Sequence, residues 1–577
     1  MLPEDDKPPA QPTLVVQQKR NRLAVFLATV FICLFYAWYT NHAWEDWYIT
    51  FRASKNLALG NGLTFTAGEP PLHSFTSPLG STVPALCSLV AGPERDGLAL
   101  WYYRFFSATL LGLAAVMLFD ICRRYRYGPW ATVLLLGCFM IESKIVDNTI
   151  NGMETGLMMF FIALTIRAHV RTTPRAWLHL GLAWGGLMWS RPDAFVYGAA
   201  ISIGFFLFQP GPALGINRIA MLKNLARAAG ICTLVYLPWF AGAWIYYGSP
   251  IPNTITAKAL DSSHHLILLD LVKDFFALPF KNYPALTAAE QAFAPPYARV
   301  FGGWPDQIYV YSRMLCTVAC YYWLVPFASR FGRSMSFAAM IAQFYLTDVT
   351  PHPMPWYLPN GAVLVLITLA AIFHDGQRLA DRFREEMPKQ VRTWEIGMRS
   401  LISAQLLVFF LLFATTAYQS YWQQVLVEDG VRTQAGLWLK KNAKSPNETV
   451  MVECLGYLGF FSELKMYDYP GMGTPETVAA RRKLREQHGP YASWAEITTP
   501  QKIALIREMK PDWLAFRPYP VIGIMQTEPA LLQEEYERKA IFETTARIKE
   551  IPYLPGRPFL EFDSSFMIFR RKDSATK

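Results

Sequence analysis

Long apolar runs, separated by short polar segments, dominate the first 420 residues of the chain. A helix that spans a membrane needs about 20 mostly apolar residues, so this pattern predicts about eleven spans. They are expected at residues 23–41, 97–121, 129–143, 154–170, 176–190, 194–209, 225–247, 307–327, 336–350, 356–373 and 399–418. Several are short or interrupted by glycine and proline, which is typical of helices that line a cavity.

The pattern changes after residue 418, where short β-type runs alternate with amphipathic helical segments. Such alternation predicts an α/β domain of residues 419–577, and about 150 residues can bury a core of their own. Helices are expected near 431–442 and 500–509, and strands near 449–454, 512–516 and 559–570. The fold class is therefore a polytopic α-helical membrane protein with a C-terminal extracytoplasmic α/β domain.

Composition supports this architecture and excludes two others. Of the 577 residues, 52% are hydrophobic and only 17% are charged, whereas soluble domains usually carry about 25% charged residues. A soluble enzyme and a disordered scaffold are both excluded, since disorder requires low hydrophobicity. The net charge of +10 comes from Lys and Arg clustered beside apolar segments, so it indicates membrane topology and no nucleic-acid partner.

The positive charges also predict the orientation of the chain. Basic clusters lie at 123–126, 167–175, 218–227 and 374–399, whereas the loops 42–96, 144–153 and 248–306 are rich in Pro, Gly, Ser, Thr and aromatic residues. By the positive-inside rule, the N-terminal tail 1–22 is cytoplasmic and the α/β domain lies outside. Residues 23–418 form the membrane domain, and the first apolar run is expected to be an uncleaved anchor.

Two adjacent carboxylates, Glu45 and Asp46, begin the first outer loop within a sequence rich in aromatic residues. An apolar, half-desolvated environment raises the pKa of a carboxylate and makes it a better general base. The alternative is that both acids cap a helix that starts at Trp47, where the helix dipole favours negative charge. The loop alone leaves both interpretations open.

Further polar clusters lie at other outer span ends. The residues that we expect to bind substrate are Arg52, Glu154, Arg191, Asn253, Lys258, His352, Trp356 and Tyr357. Each alone has an ordinary structural explanation, such as snorkelling of an arginine or an interfacial aromatic belt. Their common location predicts an extracytoplasmic site, in which a carboxylate activates a hydroxyl and basic residues hold a lipid phosphate.

The same residues carry a resemblance to a known family. The stretch Glu45-Asp46-x-Tyr48-Ile49-x-Phe51-Arg52, continuing to Phe75-Thr76-Ser77-Pro78-Leu79, resembles the first-loop pattern of bacterial GT-C membrane glycosyltransferases. Later blocks follow in the family's order: Gly152-Met153-Glu154-Thr155, Arg191-Pro192-Asp193, Pro252-Asn253-Thr254 with Lys258, and Gly456 to Ser462 in the tail. Within that family, the blocks resemble those of the arabinofuranosyltransferases of mycobacterial cell-envelope synthesis.

The resemblance implies a GT-C fold in the bacterial inner membrane and a polyprenyl-phosphate sugar donor, with arabinofuranose the expected sugar. The acceptor is a hydroxyl of a cell-envelope glycan, lipid or protein. The family's first-loop acid carries over to Asp46 as catalytic base, with Glu45 as the second candidate. Glu45 replaces the usual first aspartate, Trp47 a small residue, Asp193 a glutamate and Phe75 a tyrosine. No cofactor is certain, although Glu45, Asp46 and Glu154 have the oxygen ligands that a divalent cation prefers.

Three alternatives remain open at this stage. In the first, the chain has the same fold but transfers a hexose or an aminosugar. In the second, it is a transporter of a lipid-linked sugar. In the third, it is a scaffold that binds envelope glycan. Transporters usually place charges deep in pseudo-symmetric spans, whereas the charges here lie at outer span ends. The sequence therefore favours the glycosyltransferase.

Overall fold

The computed structural model describes residues 12–171, 173–208, 217–259, 273, 288–350, 354–488 and 498–572. The helices of the N-terminal part are α1 (Pro12–Thr40), α2 (Glu45–Ala58), α3 (Pro78–Ala91), α4 (Asp96–Arg124), α5 (Pro129–Ile141), α6 (Ser143–Ile150), α7 (Thr155–Val170), α8 (Ala176–Ser190), α9 (Phe195–Phe208), α10 (Arg218–Tyr247), α11 (Asn253–Ala259), α12 (Gln307–Tyr321), α13 (Arg330–Phe344), α14 (Leu358–Arg382) and α15 (Pro388–Trp422). Single helical turns lie at Ala288–Gln291 and Ala298–Phe301.

Every segment predicted to span the membrane contains a helix, although the helices differ in length. Within the described ranges, five helices are long and apolar enough to cross a membrane, or six if the bent pair α5 and α6 is one span. Helices α3, α7 and the segment Pro192–Phe208 are apolar but shorter. The number of spans and their orientation therefore stay predictions, while the apolar helices indicate a membrane location.

The C-terminal part begins with a π-helix at Gln423–Thr433, which continues α15 without a break. Its further helices are α16 (Gln434–Asn442), α17 (Gly456–Ser462), α18 (Pro475–His488), α19 (Thr499–Met509), α20 (Pro518–Thr527), α21 (Thr545–Glu550) and α22 (Arg557–Phe562). Its strands are β1 (Thr449–Val452), β2 (Lys465–Asp468), β3 (Trp513–Phe516), β4 (Tyr536–Glu543) and β5 (Ser565–Arg571).

The strands of the described region form one mixed sheet in the order β2-β1-β3-β5-β4. Strand β1 pairs in parallel with β2 and β3, whereas β5 pairs antiparallel with β3 and β4. The strand expected near 559–570 is wrong at its start, because residues 557–562 are helical and the strand begins at Ser565. Pro558 near the start of this segment favours a first helical turn over a strand.

The C-terminal part of the chain, comprising the described residues of 423–572 and called the sheet domain below, packs directly on the loop that follows α1. Ile49 of α2 and Phe65 of the same loop belong to the hydrophobic core on one face of the sheet, with Val450, Met466 and Trp513. The guanidinium of Arg52 donates to the carbonyls of Gly459, Leu464 and Glu463 at 2.6, 3.0 and 3.1 Å. The domain therefore holds α2, and with it Glu45 and Asp46, in a fixed position.

Candidate active site

A cleft lies between the ends of the membrane-domain helices and the sheet domain, and encloses about 640 Å³ of space, part of it open to the surroundings. Seven separate chain segments line it. The polar and aromatic lining residues are Asp46, Thr50, Ser74, Phe75, Thr76, Ser77, Glu154, Arg191, Thr254, Trp356 and Tyr357, and Met472 comes from the sheet domain. Residues far apart in sequence thus meet at one place.

Asp46 occupies the first turn of α2, one residue later than the start of the helix. The N-cap residue Trp44 provides no side-chain hydrogen bond to the helix, so negative charge in the first turn also compensates the helix dipole. Tyr297 lies near Asp46, because burial and then the charge of Asp46 raise the pKa of Tyr297. Asp46 is therefore a carboxylate in a partly enclosed, aromatic environment, which suits a general base.

Glu45 points away from the cleft. Its Oε1 accepts a hydrogen bond of 2.6 Å from the backbone N–H of Gly456, and its Oε2 lies 3.3 Å from Arg432. A Cβ added at Gly456 would lie 2.0 Å from the carbonyl oxygen of Glu45, so the two backbones are in close contact. The position of Glu45 fits a residue that joins α2 to the sheet domain.

Arg191 and Glu154 form an ion pair in the wall of the cleft. Nη1 of Arg191 donates to Oε1 of Glu154 at 2.6 Å, and its Nε donates to Oδ1 of Asp193 at 3.0 Å. The guanidinium also stacks on the ring of Tyr357, 4.2 Å from its centroid. Because the planar guanidinium group donates its hydrogen bonds in fixed directions, this arrangement fixes the orientation of the Glu154 and Asp193 carboxylates.

Aromatic rings form the adjacent part of the wall. Trp44 stacks on Tyr297 at 5.9 Å between ring centroids, with an angle of 11° between the planes. Trp356 meets Trp44 edge to face at 5.9 Å, and Trp356 and Tyr357 both line the cleft. Aromatic faces with a polar rim provide apolar contact surface and hydrogen bonding together.

Two further predicted site residues, Asn253 and Arg52, contact the sheet domain. Asn253 donates from Nδ2 to the carbonyls of Gly471 and Met472 at 2.7 and 3.0 Å, which ties α11 to the sheet domain. Arg52 is engaged with the same domain. Lys258 belongs to α11, but its side chain, like the whole of His352, lies outside the described residues. For all four, substrate binding stays a prediction.

Two hydroxyl groups of the cleft were missed by sequence reasoning. The side chains of Ser74 and Thr254 line the cleft, and their oxygens are buried without a hydrogen-bond partner in the described parts of the chain. Buried polar groups usually have partners, so these two are suited to bind a hydroxyl-rich ligand. The signal was present, because Thr254 belongs to a block of the family pattern and Ser74 directly precedes Phe75 of another.

Only two of the three carboxylates considered for a cation line the cleft. Asp46 and Glu154 line the cleft, whereas Glu45 faces Gly456 and Arg432. Over the described residues, no group of three or more His, Cys, Asp or Glu side chains is placed to hold a metal ion. The three-carboxylate arrangement does not fit, so we derive no step through a cation.

A glycine of the cleft packs on the ring of Trp47. Gly152 has φ of 103°, and a Cβ there would lie 2.5 Å from the Trp47 ring. We expect Gly152→Ala to destabilise the protein by about 2 kcal/mol or more, because strained backbone and steric overlap add. It should also lower activity by displacing Glu154. Thermal unfolding in detergent measures the first effect.

Gly60→Ala is the matched control for this substitution. Gly60 also has a positive φ, of 81°, but nothing lies within 4 Å of an added Cβ. The control therefore carries backbone strain without overlap, and the loss of stability should be smaller than for Gly152→Ala. Equal losses would contradict the role of the Trp47 contact.

Asp468 organises the loop that carries Met472 into the cleft. Its carboxylate accepts hydrogen bonds from the backbone N–H groups of Met472 and Gly473 at 2.7 and 3.0 Å. Burial raises the pKa of Asp468 to about 6, against the effect of these hydrogen bonds. Because the folded state holds the proton more tightly than the unfolded state, this group stabilises the fold at low pH, and the contribution disappears as pH rises through about 6.

We therefore expect a pH-dependent difference between the protein and its Asp468→Asn variant. Relative to the variant, the free energy of unfolding should fall by up to about 3 kcal/mol between about pH 4 and about pH 7. Unfolding followed in detergent at several pH values provides the measurement. A constant difference between the two proteins would show that Asp468 does not titrate in this range.

Comparison with known proteins places these observations in context. Residues 417–562 match a family described as Domain of unknown function (DUF8728). Over 279 residues, the chain is 26% identical to the terminal β-(1→2)-arabinofuranosyltransferase of Corynebacterium glutamicum, a match that covers 44% of this chain and 39% of that protein. The chain thus spans well under half the length of this relative.

Two solved structures are similar over most of the chain. The oligosaccharyltransferase of Archaeoglobus fulgidus, in complex with an inhibitory peptide and a dolichol-phosphate, has a TM-score of 0.56 at 11% identity, with 96% of this chain and 88% of that chain covered. An oligosaccharyltransferase of the same organism in the apo form has a TM-score of 0.54 at 11% identity, with 91% and 73% covered. The predicted resemblance to GT-C glycosyltransferases is therefore confirmed, in fold over the chain and in sequence over part of it.

Proposed function

We propose that the chain is a membrane glycosyltransferase that transfers a sugar, arabinofuranose, from a polyprenyl-phosphate donor to a hydroxyl of a cell-envelope acceptor. The observation that carries the proposal is that Asp46, Glu154 and Arg191, which lie far apart in the sequence, line one cleft. The partial similarity to a terminal arabinofuranosyltransferase supports the sugar. The dolichol-phosphate in a structure of the same fold supports a lipid-phosphate carrier.

In this proposal Asp46 is the general base. The acceptor hydroxyl loses its proton to the Asp46 carboxylate, and its oxygen forms a bond to the anomeric carbon of the donor. The bond between the anomeric carbon and the phosphate oxygen breaks, and its electron pair leaves with the polyprenyl phosphate. A phosphate is a stable leaving group, so no general acid is required at that oxygen.

Other residues of the cleft position the substrates. Arg191 shares its charge with Glu154 and Asp193, so its main effect is to orient Glu154 toward a sugar hydroxyl. Trp356 and Tyr357 offer apolar faces to the sugar ring. The hydroxyls of Ser74 and Thr254, which have no hydrogen-bond partner among the described residues, are further hydrogen-bond partners for the sugar. Lys258 and His352 are the expected phosphate-binding residues.

The test uses purified protein in detergent with short-chain polyprenyl-phosphate donors, carrying arabinofuranose or a hexopyranose. Release of polyprenyl phosphate is measured by mass spectrometry with and without envelope glycan, and with and without a chelator. Acceptor-dependent release from the arabinofuranosyl donor is the expected result. Release from the hexose donor alone would change the sugar, and a loss with chelator would establish a need for a cation.

No release from any donor by folded protein would overturn the proposal. Movement of a lipid-linked sugar across the membrane of vesicles, without cleavage of the bond between sugar and phosphate, would then identify a transporter. Binding of envelope glycan alone would identify a scaffold. The three outcomes are distinguishable because only transfer yields free polyprenyl phosphate.

A further inference from the structure

A second pocket lies at the ends of α1, α4 and α7 that point away from the cleft. It comprises about 940 Å³ of space, part of it open to the surroundings. Helix α7 begins next to Glu154 of the cleft and has 16 residues, which places its far end about 24 Å away at 1.5 Å per residue. The charged residues that line this basic pocket are Arg22, Asp120, Arg123, Arg124, Arg167 and Arg171.

The basic pocket carries a large excess of positive charge. Its single carboxylate, Asp120, lies 2.7 Å from Arg22 and 3.6 Å from Arg167. In the part of the chain that the structure describes, Arg123, Arg124 and Arg171 form no ion pair with an acidic side chain. Five guanidinium groups around one carboxylate repel one another, and an anion bound among them would offset this repulsion.

Ordinary topology accounts for only part of this arrangement. Arg123 and Arg124 occupy the last turn of α4, and Arg167 the last turn of α7, where helix dipoles favour cations. That explains each position alone, but not why the arginines of three helices surround one open pocket. The hydroxyl of Thr173 also lines the pocket and is buried without a hydrogen-bond partner among the described residues.

We propose that the basic pocket binds a phosphate group at the membrane surface. Guanidinium forks bind phosphate oxygens in pairs, which a surface of scattered lysines does not. Helices α1 and α4 are both long and apolar enough to cross a membrane, so their ends lie at the depth of lipid headgroups. The phosphate belongs either to an anionic phospholipid or to free inorganic phosphate. This binding is independent of the proposed transfer reaction.

The test measures binding to purified protein in zwitterionic detergent. The probes are dioctanoyl phosphatidylglycerol, dioctanoyl phosphatidylcholine and inorganic phosphate, followed by microscale thermophoresis and by thermal shift. We expect Arg123→Gln/Arg124→Gln to weaken binding of phosphatidylglycerol about tenfold or more, because two charge-assisted contacts are lost. The matched control Arg218→Gln/Arg227→Gln removes the same charge from α10, outside the pocket, and should leave the affinity unchanged.

A substitution that removes a negative charge from the pocket distinguishes a direct effect on binding from misfolding. Asp120→Asn removes the carboxylate that competes for Arg22 and Arg167, so it should tighten binding of phosphatidylglycerol several-fold. If inorganic phosphate displaces phosphatidylglycerol and its affinity changes in the same way in these variants, the site binds free phosphate. If inorganic phosphate does not displace phosphatidylglycerol, the site binds the lipid headgroup. Affinities that are equal in all variants, or equal binding of phosphatidylcholine, would overturn the proposal.

Discussion

Asp46→Asn is expected to reduce sugar transfer by about 10²- to 10⁴-fold, the usual contribution of a general base. Asparagine has nearly the same shape but cannot accept the proton of the acceptor hydroxyl. The loss should therefore appear in kcat, while KM for the donor and the temperature of unfolding stay close to those of the unaltered protein. Release of polyprenyl phosphate in the acceptor-dependent assay is the measurement.

Glu45→Gln is the matched variant, since it makes the same chemical change one residue away. Its side chain joins α2 to Gly456 and Arg432, so we expect it to lower thermal stability more than Asp46→Asn and activity less. Full activity of Asp46→Asn would remove Asp46 from the mechanism. A reversed pattern, in which Glu45→Gln is inactive and stable, would move the base to Glu45.

Arg432→Met is expected to destabilise the protein by about 3–5 kcal/mol, the usual effect of removing one partner from a buried ion pair. Arg432 is only 5% exposed and lies within 2.9 Å of Glu428, 2.8 Å of Asp563 and 3.3 Å of Glu45. Its loss leaves three carboxylates without their shared cation. Chemical unfolding in detergent, followed by tryptophan fluorescence, measures the effect.

The charge balance of this cluster can be tested further. Burial acts to raise the pKa of Asp563, but Arg432 and Arg517 outweigh it and hold the pKa below its ordinary value. Adding Glu428→Gln to Arg432→Met removes one stranded carboxylate and should restore part of the stability. Arg384→Met, which breaks exposed ion pairs with Asp381 and Glu395, should have no measurable effect. An Arg432→Met protein as stable as this control would contradict the role of the cluster.

The cluster has a consequence for the candidate site. Arg432 follows α15, Asp563 belongs to the sheet domain and Glu45 begins α2, so one guanidinium connects three parts of the chain. Arg52 makes a second connection through three carbonyl groups. We therefore expect a loosened sheet domain to disturb the position of Asp46, although no residue of the cluster lines the cleft.

The sequence determined the helical architecture, because an apolar run long enough to cross a membrane has to satisfy its backbone hydrogen bonds within a helix. All of the predicted spans contain helices, and the strands of the described residues all follow the change of pattern at residue 418. Strands β2 and β4 escaped detection, since β2 buries only two of its four residues and β4 is exposed along one face, whereas the equally short β3 is buried throughout. Strands with so few buried positions show too weak an apolar pattern to be separated from loops.

For the site, the sequence singled out the blocks of polar and aromatic residues, and the tertiary structure decided which of their side chains face the cleft. Asp46, Glu154, Arg191, Trp356 and Tyr357 meet there. Glu45 and Arg52 come from the same sequence block, yet they contact the sheet domain. On a helix, neighbouring residues point about 100° apart, so adjacency in sequence cannot decide between catalysis and docking. That decision required the position of the sheet domain, which depends on contacts between residues about 400 positions apart.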